Sequence, residues 1–325
     1  MAAKPTKILL APRQPEAILD IARSLAPPGY DLVIADVGSA EFKREAADIE
    51  YYLGHARKID ADFFRATPKL RLVQLLSAGY DRVDVDAARR ASVPVSNNGG
   101  ANALAVAEHT LMLILATLKR MVNFHNDVVV GKWRVGDHVE SRVFELSGRT
   151  LGIVGLGNIG KKVARRAAAF GVNIQYYDIA RLTEDQEDAL DVRFALFTEL
   201  LRTSDIVTLH VPYDDTTRNL IGERELAMMK PDAILINTCR GPVVDENALH
   251  HALRDKQIFA AGLDVMVEEP PKPEHPLFAL PNVTFTPHSA GPTWENWTDR
   301  YRNGYDNIQR VAAGRKPRWV IPELA

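Results

Sequence analysis

One cysteine, Cys239, stands in 325 residues, so no disulfide can close within the chain and nothing in its composition asks for an oxidising compartment. Long apolar runs are missing too. The richest, LMLILATLKRM at 111–121, is ended by Lys119 and Arg120, well short of the roughly 20 residues that a membrane helix needs. The opening MAAKPTKILLAPRQPE has too short an apolar run for a secretory signal and passes into a strand pattern. Charge of one sign is also lacking: a net charge of -2 supplies no basic field to attract nucleic acid, so an anionic ligand must be met by local positive charge. These absences make the cytoplasm the expected location and leave membranes and nucleic acids outside the expected partners. What is present, 46% hydrophobic and 25% charged residues, is the balance of a soluble globular protein. The length suits two domains, each with its own core.

Short apolar runs alternate with stretches that can hold helices. In the first hundred residues these are KILLAP, DLVIAD, RLVQLLS and VPVSN; later come TLGIVG, NIQYYD, DIVTLHV, AILINT, AAGLDV and VTFTPH. Apolar strands separated by helices predict parallel sheets covered on both faces, and there are enough of them for two doubly wound α/β domains. Asn97, Asn98, Gly99 and Gly100 make a turn signal that places a boundary near residue 101. A helix at about 104–121, apolar on most faces, must be buried on each side, which suggests a domain or subunit junction and a homodimer. Residues 291–325 hold a helical pattern at about 293–313 but no further strands. Their return to the first lobe gives residues 1–101 plus 291–325 as one domain, with 102–290 inserted into it.

LGIVGLGNIGKK spaces Gly155, Gly157 and Gly160 as G-x-G-x-x-G, after an apolar strand and before a helical pattern. Glycines there permit a tight turn, close approach of backbone to a pyrophosphate, and tight packing of helix on strand, and the helix N-terminus offers N–H groups to phosphates. Leu156, Asn158 and Ile159 share that loop. The next strand ends at Asp178, 18 positions beyond Gly160 (178 minus 160), where a carboxylate accepts hydrogen bonds from a ribose and repels a 2′-phosphate. NAD is therefore the expected cofactor and NADP the lesser one, although Arg181 could in principle meet a phosphate.

AILINTCRGPVVDE at 233–246 sets Arg240 at the end of a buried strand. With the runs TLHVPYDDTTRNLIGERELAMMKPDAILINTCRGPVVDENAL, GLDVMVEEPP and NVTFTPHSAG, the sequence resembles the D-isomer-specific 2-hydroxyacid dehydrogenases over nearly its whole length. That family includes glyoxylate and hydroxypyruvate reductases and phosphoglycerate dehydrogenases. The resemblance implies a Rossmann-type NAD-binding domain inserted into a flavodoxin-like substrate domain. It also implies that Arg240 anchors the substrate, that Glu269 is the catalytic glutamate, and that His288 is the acid/base. The chemistry suits these roles. A guanidinium fork holds a carboxylate and polarises the adjacent carbonyl; imidazole titrates near neutrality, and a carboxylate beside it favours its protonated form.

Glu269 is preferred to Glu268 by its register, five positions after Asp264. Asp264 resembles the family's residue beside the nicotinamide, though a strand-end cap is its plainer reading. His210 and Pro212 are expected as walls of the cofactor site, with Thr238 beside them. Cys239 is expected only to pack, and His250 and His251 to lie on the surface. No metal site is expected. In the first lobe, the resemblance implies that main-chain N–H groups of Ser77, Ala78 and Gly79 hold the substrate carboxylate, and Asn102 matches a position near the cleft. The residues from Tyr51 to His55, with Trp133 and Trp294, are candidates for shaping the pocket. Two other readings share the architecture: a dehydrogenase for formate or phosphite, and a dinucleotide-gated binding protein like the C-terminal-binding corepressors.

Overall fold

The computed structural model describes residues 5–133 and 142–325. The chain divides into two compact units, Met1–Asn102 with Pro292–Ala325, and Ala103–Gly291.

The first unit is built on five parallel strands, β1 Thr6–Ala11, β2 Tyr30–Ile34, β3 Ile49–Gly54, β4 Leu72–Leu75 and β5 Val95–Ser96, in the order β2-β1-β3-β4-β5. This 2-1-3-4-5 order is the flavodoxin arrangement. Its middle strand, β3, is absent from the runs picked out in the sequence, because Glu50 and two tyrosines interrupt its apolar character. Alternation along the strand explains those tyrosines. Tyr51 faces a core of Ile8, Leu10, Leu53, Leu72 and residues of the helix Asn296–Ala312. Tyr52 faces the opposite core of Leu9, Phe63, Val73 and Val95. Both are fully buried, and the Tyr52 hydroxyl donates to the Ala11 carbonyl at 3.0 Å. Neither shapes a pocket, contrary to expectation; of that segment only His55 lies beyond the strand end. The helix Asn296–Ala312, expected at 293–313, covers the sheet with Tyr301, Tyr305 and Ile308.

The second unit has seven parallel strands: β6 Thr150–Val154, β7 Asn173–Tyr177, β8 Arg193–Phe194, β9 Ile206–Leu209, β10 Ile234–Asn237, β11 Ala260–Leu263 and β12 Val283–Phe285. Their order is β12-β11-β10-β9-β6-β7-β8, a Rossmann sheet with one strand added at the end. The winding reverses between β6 and β9, the crevice where this architecture meets its ligands. The apolar helix is shorter than expected, Ala103–Leu118. Arg120 adopts a left-handed backbone with φ 50°, which ends it and starts a second helix, Met121–Val129. Ala107, Leu111, Leu113, Ile114 and Leu118 of the first helix are buried with Ile153, Val163 and Ile236. Among the described residues no helix is long and apolar enough to cross a membrane.

Candidate active site

At the switch point, β6 runs into the glycine loop and then the helix Asn158–Ala167. Gly155 sits at φ +92°, and a Cβ there would fall 2.6 Å from the His210 carbonyl oxygen. A Cβ on Gly160 would fall 2.2 Å from the Gly155 carbonyl oxygen, so only glycine lets this helix approach its strand. At Gly157 an added Cβ meets no protein atom within 4 Å. Conformation and packing therefore require the first and third glycines, and neither explains the middle one. Leu156 is buried, Asn158 exposed and Ile159 partly buried.

Asp178 follows β7, and its carboxylate accepts the N–H groups of Leu156 at 2.7 Å and Ala180 at 3.0 Å. This fixes an acidic group against the loop. Arg181 turns to Glu187, with nitrogen to oxygen distances of 2.9 and 3.3 Å, and its guanidinium lies over the Phe194 ring. The backbone of His210 closes on β6 through a 2.7 Å bond from its N–H to the Val154 carbonyl. Its ring Nε2 lies 3.0 Å from the Thr208 hydroxyl. Burial pushes this imidazole down to about 3, which keeps it neutral and unsuited to carrying a proton at neutral pH. Pro212 is exposed, while Thr238 is buried with its hydroxyl 3.0 Å from that of Thr110.

Arg240, Glu269 and His288 each follow a strand end, those of β10, β11 and β12. The Asn237 side-chain amide donates to the Arg240 carbonyl at 2.9 Å, and the Arg240 guanidinium donates to the Cys239 carbonyl at 2.7 Å. Cys239 packs against the core, and burial pushes its thiol up to about 11. Glu269, not Glu268, meets the histidine: its Oε2 lies 2.8 Å from His288 Nδ1, while its Oε1 accepts the Met266 N–H at 3.2 Å. The Glu268 side chain is mostly exposed, 4.0 Å from the Lys272 ammonium. Gly241 brings these loops together, because a Cβ there would lie 2.0 Å from the Met266 carbonyl carbon and 2.4 Å from the Val267 nitrogen.

The His288 backbone is left-handed, with φ 52°, a conformation that costs a non-glycine residue about 1–2 kcal/mol. Asp264 holds it there. Its carbonyl accepts the His288 N–H at 2.8 Å, and its carboxylate accepts the N–H groups of Ser289 at 2.9 Å and Ala290 at 3.0 Å and the Thr286 hydroxyl at 2.6 Å. His109, passed over in the sequence, comes from the helix Ala103–Leu118 with Nε2 2.9 Å from the Thr286 hydroxyl and 3.4 Å from Asp264. Burial alone would raise the Asp264 carboxyl. The donors His109, Thr286, Ser289 and Ala290 outweigh it and hold the group below its ordinary range. Asp264 is thus the organiser of the histidine turn.

In the other unit, Ser77, Ala78 and Gly79 form a turn past β4, where the Ser77 hydroxyl donates to the Gly79 carbonyl at 2.9 Å and the Ser77 carbonyl accepts the Asn98 N–H at 3.1 Å. Asn102 accepts from the Asn98 side chain at 3.2 Å. Trp133 and Trp294 are both largely exposed. Trp297, which the sequence did not single out, instead lies edge-on to His55 and beneath the Arg300 guanidinium. His251 is exposed and His250 half-buried, as expected of surface residues, and both line an open cavity of about 520 Å³ with Glu246 and His275.

The sequence profile described as "D-isomer specific 2-hydroxyacid dehydrogenase, NAD binding domain" matches residues 111–290. The chain is 41% identical over 295 residues to a glyoxylate reductase from Aeropyrum pernix, a match covering 90% of this chain and 85% of that one. Among solved structures it is similar to a glyoxylate reductase from Paecilomyes thermophila, with TM-score 0.85, 28% identity and 99% of each chain covered. It is also similar to an NAD-dependent formate dehydrogenase from Staphylococcus aureus in complex with NAD, with TM-score 0.80, 28% identity, and 95% of this chain and 96% of that one covered.

Proposed function

This chain belongs to the D-isomer specific 2-hydroxyacid dehydrogenases that use NAD, and from that premise we propose that it reduces a short 2-oxoacid of the glyoxylate and hydroxypyruvate kind to the D-2-hydroxyacid. The unit Ala103–Gly291 would hold the dinucleotide and the other unit would supply substrate contacts. The observation that carries the reading is the 2.8 Å pairing of His288 with Glu269 beside the Arg240 turn, behind a glycine loop closed by Asp178. The 41% identity to a glyoxylate reductase supports the substrate class.

The glycine loop fits the cofactor. Free N–H groups at the N-terminus of the helix Asn158–Ala167 suit a pyrophosphate, and the open space over Gly157 lets it approach the backbone. Asp178 suits the adenosine ribose, while neutral His210, Pro212 and Thr238 suit the walls around the nicotinamide. When bound, NADH supplies the hydride. Arg240 grips the substrate carboxylate and draws electron density from the neighbouring carbonyl. His288 donates a proton from its imidazolium to the carbonyl oxygen, and in the reverse direction takes it from the hydroxyl. Glu269 orients the ring through Nδ1 and stabilises its positive form, while Asp264 keeps the backbone of His288 in place. On the resemblance alone, the N–H groups of Ser77, Ala78 and Gly79 are further donors to the substrate.

Arg240→Ala and His288→Ala are each expected to slow 2-oxoacid reduction by roughly 10²- to 10⁴-fold while NADH binding, followed by fluorescence, stays near wild type. Steady-state NADH oxidation against glyoxylate, hydroxypyruvate, pyruvate, formate and phosphite checks both the residues and the substrate. Wild-type turnover in either variant, or turnover with formate or phosphite alone, would overturn the reading.

A further inference from the structure

The loop that carries Glu269 is held from outside as well as from within. Val267 sits two positions before Glu269, and its N–H donates to Glu246 Oε1 at 2.7 Å. Glu246 opens the helix Glu246–Arg254, so its carboxylate is also favoured by the helix N-terminus. Its other oxygen, Oε2, lies 3.1 Å from His275 Nε2. The tautomer follows from the other ring nitrogen: His275 Nδ1 accepts the Leu277 N–H, so Nε2 carries the hydrogen and donates it to Glu246. Both side chains are mostly buried, 16% exposed for Glu246 and 19% for His275.

This arrangement clamps one peptide from two sides. The Met266–Val267 peptide lies against the α-carbon of Gly241, the residue after Arg240, and its N–H is pulled toward Glu246. The neighbouring Met266 N–H binds Glu269 Oε1, which leaves Oε2 facing His288. Moving Val267 therefore moves the carboxylate relative to the imidazole and relative to the arginine turn.

We propose that Glu246 and His275 are positioning residues of the reaction, a carboxylate and imidazole brace that fixes the Met266–Glu269 loop and thereby the hydrogen bond of Glu269 to His288. The proposal rests on the roles given above to Glu269 and His288. The brace touches neither substrate nor cofactor in this scheme. Its outer side lines the cavity of about 520 Å³ shared with Asp245, His250 and His251. Of the other charged groups of the site, His109 and Asp264 pair with each other and with Thr286, and the Arg240 guanidinium donates to the Cys239 carbonyl.

The test compares Glu246→Ala, Glu246→Gln and His275→Ala with the wild type in single-turnover reduction of the 2-oxoacid by bound NADH across pH. A loosened Glu269 supports the imidazolium less well. The two alanine variants are therefore expected to lose about 10- to 100-fold in rate, with the alkaline limb of the profile moved to lower pH and NADH affinity unchanged. Glu246→Gln keeps an acceptor for the Val267 N–H and is expected to recover most of the rate. In a Glu269→Gln background, Glu246→Ala should add no further movement of the limb, because the two changes act through one hydrogen bond. A wild-type profile in both alanine variants overturns the brace, and so does a rate loss with the limb unmoved and additive to Glu269→Gln. If Glu269→Gln itself turns over normally, the assignment of the site falls and takes the brace with it. If Glu269→Gln is impaired and the brace variants are not, only the brace falls.

Discussion

Asp178 is the side chain proposed above to meet the adenosine ribose. Tied to the N–H groups of Leu156 and Ala180, its carboxylate cannot swing away from an incoming 2′-phosphate. Arg181, the cation nearest in sequence, is engaged with Glu187 and Phe194. Asp178→Ala is therefore expected to shift the ratio of kcat/KM for NADH over NADPH by about tenfold or more toward NADPH; an unchanged ratio in parallel assays would remove Asp178 from that role. Arg240, Glu269, His288 and Asp178 were readable in the sequence as candidates, because each follows an apolar strand within a recognisable run. His109, Glu246 and His275 were not. Their partners lie far along the chain: His109 meets Asp264 and Thr286, and Glu246 meets His275 and Val267. Nothing local marks a residue whose role is a pairing made by the fold.

Among the elements, the turn from β6 into the helix Asn158–Ala167 depends on its first and third glycines. Gly160→Ala would drive a methyl group into the Gly155 carbonyl, so the helix must shift away. It is expected to lose about 1–3 kcal/mol of stability and to weaken NADH. Gly157→Ala meets no protein atom, and is expected to keep wild-type stability while weakening NADH. Denaturant unfolding and fluorescence titration of the two variants check the contrast, and equal stability in both would contradict the packing argument. Most strands were legible from their apolar runs. β3 was not, because Tyr51 and Tyr52 are buried on opposite faces and a pair of tyrosines carries no period of its own. The helix break at Arg120 was equally hidden, since a left-handed arginine has no sequence signature of the kind glycine gives.

For the molecule as a whole, two expectations concern association and acid. The helix Met121–Val129 buries none of its side chains, and Met121, Val122, Val128, Val129, Val130 and Trp133 are all exposed. An exposed apolar row of this kind is what an interface between copies uses, and the homodimer expected from the sequence is tested on it. Sedimentation should give a dimer for the wild type and a monomer for Val129→Glu; a monomeric wild type would exclude it. Acid acts through the histidines. Burial, with Arg300 and Arg57 nearby, pushes His55 down to about 4, and burial pushes His210 to about 3, whereas an unfolded histidine titrates near 6.5. Between these values the unfolded chain binds more protons. The stability from keeping both rings neutral is therefore fully present above about pH 6.5 and is lost as the pH falls through the folded values. Urea unfolding at pH 7.5, 5.5 and 4.5 should show a steady decline that His55→Leu reduces, and a pH-independent midpoint would refute it.

One face of the first sheet is covered by Tyr301, Tyr305 and Ile308, although Ile8, Leu10, Tyr51 and Leu53 beneath them are synthesised long before. The whole of Ala103–Gly291 is translated in between. On the ribosome, the helix Glu16–Leu25 can cover part of that face early with Ile18, Leu19 and Ala22, but the rest stays uncovered until the final helix emerges, while the inserted unit has every strand it needs to fold first.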